Sequence, residues 1–288
     1  MGTPWDRAAA AYVEEWVPRF VPYHLDLVRE MAVREGDRVL VTSAGPGAEV
    51  LALARAVGES GFVRATDKSG EMVRICREQV ERAHLSDRVE CVEADAIDAS
   101  GGLWDAVVCA FGLWQLRSRA DALQAWAKEL APRGKVGVIA WGPADPGEPF
   151  DKLDLCLREL EPGFRVPDAQ AHTSREAMGA MFDEASLVMV RHTTVRHTLG
   201  FKSAEAFVRA MREGCTWRRV WEELGDERMD RVAARFYAWW GGPDKPLSFD
   251  PAATLAIAAL PGAEVELAHR PSVRAPGSGR GGERDSLG

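Results

Sequence analysis

Two glycines between an apolar run and an amphipathic one, followed some twenty residues on by a carboxylate, are the residues of this chain whose types and spacing best suit chemistry. Arg38-Val39-Leu40-Val41-Thr42 runs into Ser43-Ala44-Gly45-Pro46-Gly47, and Val50, Leu51, Leu53, Ala54 and Val57 follow at helical spacing. A strand, a glycine turn and a helix in this order make a nucleotide-type pocket, because glycine lets the backbone approach a ligand closely. Asp67 closes a second apolar run, Phe62-Val63-Arg64-Ala65-Thr66, where a carboxylate can accept both hydroxyls of a ribose. The Gly-x-Gly alone says little, since any tight strand-to-helix turn can use two glycines.

The surrounding residues separate three cofactors. A dinucleotide fold wants a third small residue where this chain has Val50, and a phosphate-binding loop wants Gly-Lys-Ser/Thr, which is missing. S-adenosylmethionine has ribose and adenine but no phosphate, so it needs the turn and the acid alone. Further along, Ser69 caps a helix with Met72, Ile75 and Cys76 on one face. Arg88 to Ala96 reads as a third strand ending in an acid, Trp104 to Gly112 as a fourth, and Ser118 to Leu130 as a helix. Pro132-Arg133-Gly134 reads as a turn into a fifth strand that ends at Trp141.

In this order the chain resembles the class I S-adenosylmethionine-dependent methyltransferases, most closely the branch related to ubiquinone and menaquinone biosynthesis methyltransferases. The resemblance covers residues 8 to 141 well and 172 to 260 in outline. It implies S-adenosyl-L-methionine as cofactor. It places Ser43, Ala44, Gly45 and Gly47 under the methionine and ribose, Asp67 on the ribose, and Lys68 and Met72 beside the adenine. Asp95 and Ala96 match the pair that reads the adenine amino group and ring edge, and Cys109, Ala110 and Phe111 the stretch below the sulfonium. One position departs from the family: the acid that usually follows the first Val-Leu, and helps orient the cofactor's amino end, is Val41.

Methyl transfer is an in-line displacement from a sulfonium, so a protein contributes alignment, exclusion of water and sometimes a base. A phenol or enol acceptor profits from a base near neutrality, which makes His24, His172, His192 and His197 the catalytic candidates, each with a structural role as the plainer alternative. His84 reads as a helix end and His269 as part of a loose tail. His192 and His197 are five apart on one expected strand, hence on opposite faces. They lack carboxylates at ligand spacing, so no metal is expected. Tyr12, Tyr23, Trp114, Trp217, Trp221 and Trp240 are the candidates to touch an acceptor. Phe207 and Met211, Trp217 and Trp221, and Phe236 and Trp240 are each four apart, a stripe that a core would also carry. Ten tryptophans are many for 288 residues, and broad rigid faces suit a flat acceptor.

These residues need a frame. The expected fold is α/β, a Rossmann-like, seven-stranded, mostly parallel sheet with helices on both faces. Residues 1–35 should form an N-terminal helical cover, with segments at Ala8 to Val17 and Tyr23 to Val33 broken apart by Pro18 and Pro22. Residues 36–262 should form the cofactor-binding domain, in which 203–240 is a helical acceptor-pocket insertion of two or three helices. Phe150, Leu153, Leu155, Leu157 and Leu160 form an amphipathic segment, Ser174 to Ala185 a helix, and Leu187 to Val190 the start of a strand reaching towards Phe201. Thr254 to Leu260 reads as the last strand, and 263–288, rich in Gly, Ser, Arg and Pro, as a disordered tail.

A net charge of −8 and a pI near 5.4 argue against nucleic acid as substrate, and Arg212, Arg218 and Arg219, the one local exception, read as a solvated helix face sooner than an anion-binding one. The apolar runs are strand-sized, so no membrane span is expected, and the N-terminus lacks a signal-peptide core. Cys76, Cys91, Cys109, Cys156 and Cys215 show no CxxC spacing and fit reduced thiols in the cytoplasm. The expected protein is a monomer or homodimer that methylates an oxygen, carbon or nitrogen of a hydrophobic small molecule, quinone-like, aromatic or polyketide-like. Two alternatives stay open: a same-fold enzyme using the cofactor for non-methylating chemistry, and a noncatalytic subunit with a degenerate pocket.

Overall fold

Val39, Leu40 and Val41 are all fully buried, which is why their strand reads as a continuous apolar run: it has neighbours on both sides and helices on both faces. The computed structural model describes residues 3–164, 172–214 and 217–263. Its main strands are β1 (Arg38–Thr42), β2 (Phe62–Asp67), β3 (Val89–Glu93), β4 (Trp104–Ala110), β5 (Leu130–Trp141) and β6 (Val188–Arg196). A small ribbon pairs β7 (Leu199–Phe201) with β8 (Leu247–Phe249), and β9 (Ala252–Ala259) completes the large sheet. The seven-stranded order is β3-β2-β1-β4-β5-β9-β6, parallel throughout except for β9, which runs antiparallel to both neighbours. The order reverses between β1 and β4, and their carboxyl ends open the crevice in which ligands of such sheets bind.

Helices α1 (Pro4–Ala11) and α2 (Val17–Met31) form one continuous rod, joined by a π turn at Tyr12–Trp16. The expected break at the prolines does not occur. Val17 N–H bonds the carbonyl of Tyr12 five residues back, and Pro18 follows in the first turn of α2, where a missing N–H costs little. Pro22 lies inside α2, but Phe20, Tyr23, Leu27 and Met31 are buried on its inner face and offset the lost bond.

Helices α3 (Val50–Ala56), α4 (Gly70–Arg82), α5 (Arg119–Lys128), α6 (Pro149–Leu160) and α7 (Arg175–Glu184) link the strands, and α8 (Ala204–Gly214), α9 (Trp217–Leu224) and α10 (Asp226–Trp240) fill the segment before β8. Ser69, Ser118 and Ser174 each accept a backbone N–H at the start of α4, α5 and α7. One core fills the face covered by α2, α3 and α4 and extends to α8–α10. The other packs Trp104, Leu123, Trp126 and Phe182 under α5 and α7.

Three local expectations are corrected. The turn at residues 132–134 lies within β5 as an irregularity, since Trp104 pairs with Leu130 and Ala106 with Lys135. The sixth strand stops at Arg196, and Leu199–Phe201 leaves to pair with β8. On α6 only Leu153 and Leu157 of the leucine stripe are buried, while Leu155 and Leu160 are exposed. Cys215, His269 and the tail expected to be disordered, except residue 263, lie outside the described residues.

Candidate cofactor and acceptor site

Between β1 and α3 the chain turns with positive φ at Ser43 (51°), Gly45 (52°) and Gly47 (88°). Gly47 has a second reason to be glycine, because a Cβ there would lie 2.6 Å from the Cys76 sulfur. Across the turn, a Cβ on Gly112 would come within 2.5 Å of the Ser43 Cβ, so only a glycine there lets the loop after β4 pack against the Ser43 side chain. Asp67, at the end of β2, fixes this cradle. Its Oδ2 accepts the Gly45 N–H and its Oδ1 the Ser69 N–H, both at 2.9 Å. Burial raises its pKa, countered by these N–H groups. Each oxygen keeps a lone pair for a ligand, and the side chain borders the cavity.

Around the same wall stand Lys68, Met72, Asp95, Ala96, Ala110 and Phe111. Lys68 Nζ donates to Asp95 Oδ2 at 2.7 Å, which holds the Asp95 carboxyl below its usual range. Ala44, Gly47 and Cys109 do not reach the cavity: they are buried behind it as the packing of the turn and of β4.

The cavity, about 1030 Å³, runs from this cradle to an aromatic wall of Tyr12, Trp16, Phe20, Trp141 and Phe150. Phe111 joins the two ends, its ring centroid 4.7 Å from that of Trp141 and 5.2 Å from that of Phe20. Helix α1 lies across the Asp67 end of the cavity. Asp6 Oδ1 accepts from Ser69 Oγ at 2.5 Å and from Glu71 N at 3.2 Å, and Trp5 Nε1 donates to Gln115 at 2.8 Å. Trp114 and Trp217 border the cavity, and the Trp114 Nε1 is buried without a hydrogen-bond partner.

None of the four candidate histidines borders the cavity. His24 Nδ1 bonds the buried Glu49 at 2.7 Å, and His197 Nε2 bonds Asp26 at 2.7 Å. His192 Nε2 donates to the Thr173 carbonyl at 3.0 Å, and His172 sits on an exposed turn. Histidine was the expected base because its ordinary pKa lies near neutrality, but here side-chain and backbone partners occupy three of the rings. Tyr23 is also displaced from its expected role: fully buried, its hydroxyl accepts the His197 N–H at 3.0 Å and donates to the Pro251 carbonyl at 2.7 Å. Trp221 is buried beside Trp217 but off the cavity, and Trp240 donates to the Pro246 carbonyl instead.

The sequence reading missed Trp5, Trp16, Phe20, Trp141, Glu148 and Phe150, all on the cavity wall. Trp16 and Phe20 had a signal, lying four apart on the N-terminal cover. Glu148 had none, as a lone acid in a Pro/Gly-rich stretch. The position of the usual family acid, Val41, is wholly buried in the core, and Glu49 brings a carboxylate beneath the turn from the other end of the loop. Glu49 is 1% exposed, with Oε2 on His24 and Oε1 unpartnered.

Sheet order and glycine turn together define a Rossmann-like fold of the class I methyltransferase type. A methyltransferase-domain family model matches residues 39–134. The chain is 31% identical over 177 residues to a ubiquinone/menaquinone biosynthesis C-methyltransferase of Ectopseudomonas mendocina, covering 56% of this chain and 68% of that relative. A relative of the same description from Azotobacter vinelandii is 33% identical over 145 residues, and the chain spans 57% of its length. The chain belongs to the S-adenosylmethionine-dependent methyltransferases, in the branch related to those enzymes. Among solved structures, the YcgJ protein from Bacillus subtilis (TM-score 0.56, 16% identity, 83% of this chain and 98% of that one) shares the fold. So does the [4+2]-cyclase SpnF (TM-score 0.57, 16% identity, 86% of this chain and 84% of that one).

Proposed function

We propose that this chain transfers the methyl group of S-adenosylmethionine to an oxygen, carbon or nitrogen of a flat, hydrophobic small molecule, with a quinone-like or other aromatic ring as the best fit. One observation carries the reading: a single cavity joins the Asp67 cradle to a wall of aromatic rings. The names of the relatives, which methylate carbon in quinone biosynthesis, point to the same acceptor class.

Bound there, the cofactor supplies an electrophilic methyl carbon on a sulfonium. Asp67 accepts the ribose hydroxyls with its remaining lone pairs, and its N–H partners at Gly45 and Ser69 hold it in place. Met72 and Ala96 offer apolar contact to the adenine, while Asp95, already oriented by Lys68, takes its amino group. Ser43, Gly45, Ala110 and Phe111, which line the cavity, would flank the methionine end. Tyr12, Trp16, Phe20 and Trp141 fix the acceptor's plane and exclude water, so the acceptor is aligned before transfer.

The test is incubation with labelled S-adenosylmethionine and a panel of hydroquinones, phenols and heteroaromatic amines, read by mass spectrometry. A methylated product with matching S-adenosylhomocysteine is the expected result, and no product from any member would overturn the reading. Val41 in place of the usual acid favours a second reading, non-methylating chemistry on the bound cofactor. Converted acceptor without S-adenosylhomocysteine would select it. No calorimetric heat with S-adenosylmethionine would instead select a noncatalytic subunit.

A further inference from the structure

The carboxylates that border the cavity differ in what already holds them. Asp67 and Asp151 accept backbone N–H groups, the latter from Gly147 at 2.8 Å. Asp95, Asp154, Glu222 and Glu223 each pair with a cation: Lys68 at 2.7 Å, Arg158 at 2.6 Å, Arg218 at 3.2 Å and Arg219 at 2.6 Å. Asp121 is exposed in the first turn of α5. Glu148 has the Asp145 backbone N–H as its partner and no cation. It stands at the N-cap of α6 without capping it, half-buried, two residues before Phe150 in the chain, and borders the cavity that Phe150 and Trp141 also line. Among the described residues it makes no ion pair. Arg196, whose field reaches it, is itself held by Asp145 at 2.7 and 3.1 Å.

We propose that Glu148 is the general base of the transfer, taking the proton from a hydroxyl or an enolisable carbon of the acceptor. This rests on the methyl-transfer reading and narrows its acceptor to a phenol, hydroquinone or enol. The acceptor's proton passes to the Glu148 carboxylate, and the freed electron pair bonds the methyl carbon. The carbon–sulfur bond breaks with its electrons on sulfur, leaving methylated acceptor and S-adenosylhomocysteine, and Glu148 then returns the proton to solvent.

The surroundings suit that role. Burial pushes the Glu148 carboxyl up to about 7, with Asp145 and Asp151 raising it further and the Asp145 backbone N–H and Arg196 opposing. The Tyr23 hydroxyl and Asp250 complete the groups facing this corner. A base with a pKa near the working pH is both ionised and strong enough to accept a phenolic proton. Asp154 also offers a buried, unpartnered Oδ1, but its Oδ2 is already held by Arg158 at 2.6 Å, which suits it to orienting a polar group.

The experiment measures transfer from S-adenosylmethionine to 1,4-naphthohydroquinone, simple phenols and a cyclic 1,3-diketone between about pH 5.5 and 9, for the wild type, Glu148→Gln and Glu148→Asp. The wild-type rate should rise through a limb near pH 7. Glu148→Gln should lose that limb and about 100-fold or more in kcat, with KM and cofactor affinity within about twofold, and Glu148→Asp should keep a weaker limb. Cofactor affinity by calorimetry shows that the variants fold. An unchanged limb in Glu148→Gln overturns the proposal, as does a wild type that binds the cofactor and methylates amines but no phenol, hydroquinone or enol. A wild type that binds no cofactor overturns the functional reading beneath it instead.

Discussion

Asp67 has two structural partners and, on the proposed reading, two ligand hydroxyls. Asp67→Ala removes a charged acceptor from both, and a hydrogen bond to a charged group contributes about 1.5–3 kcal/mol. The expected outcome is a loss of S-adenosylmethionine affinity of tenfold or more, by calorimetry; unchanged affinity would refute the assignment. Glu148 supports a prediction about stability. Burial pushes its carboxyl from the ordinary 4.5 up to about 7 in the folded state, so folding favours its neutral form. That preference costs nothing below about pH 4.5, where the carboxyl is neutral in both states, and grows as pH rises through about 7. Glu148→Gln should therefore melt higher than the wild type at pH 8, with the gap closing near pH 4.5. A gap that is constant with pH would mean that the side chain is not strained by its charge.

At the scale of elements, the tryptophan pair of α9 divides its duties. Trp217 borders the cavity and Trp221 does not, although both are almost wholly buried. Trp217→Ala should lower acceptor turnover while sparing cofactor affinity. Trp221→Ala should act through stability, at about 3–5 kcal/mol in urea unfolding. Equal effects of the two on turnover would contradict this division. The sequence could not separate them, because periodicity shows which residues share a helix face and not whether that face meets a core or a cavity. The parallel strands were legible for a different reason: buried on both faces, they leave uninterrupted runs such as Val39-Leu40-Val41. The glycine turn was legible because Gly45 and Gly47 satisfy a backbone requirement that few other residues can. The prolines misled, because a π turn can absorb Pro18 and a well-buried face can hold Pro22 in a helix. The histidines misled because their pKa says nothing of position. Glu148 was invisible for the converse reason, since only the fold gives that acid its surroundings.

For the whole molecule, the N-terminal rod is fastened to both halves of the site. His24 carries it to Glu49 behind the glycine turn, and Tyr23 carries it to Pro251, which lines the same cavity as the aromatic wall. His24→Ala would leave Glu49 Oε2, like its Oε1, buried without a partner, and an unsatisfied buried polar group costs about 1–3 kcal/mol. Chemical denaturation should show a loss of that size, with cofactor affinity falling as well, and a loss below about 1 kcal/mol would mean that water replaces the imidazole. The strand order has a consequence for how the chain is made. Although β9 ends only at Ala259, it lies between β5 and β6, so both of those strands leave the ribosome long before the one that zips them together. Throughout that interval their hydrogen-bonding edges stand open, and a nascent chain stalled before residue 252 would offer two templates for pairing with its neighbours.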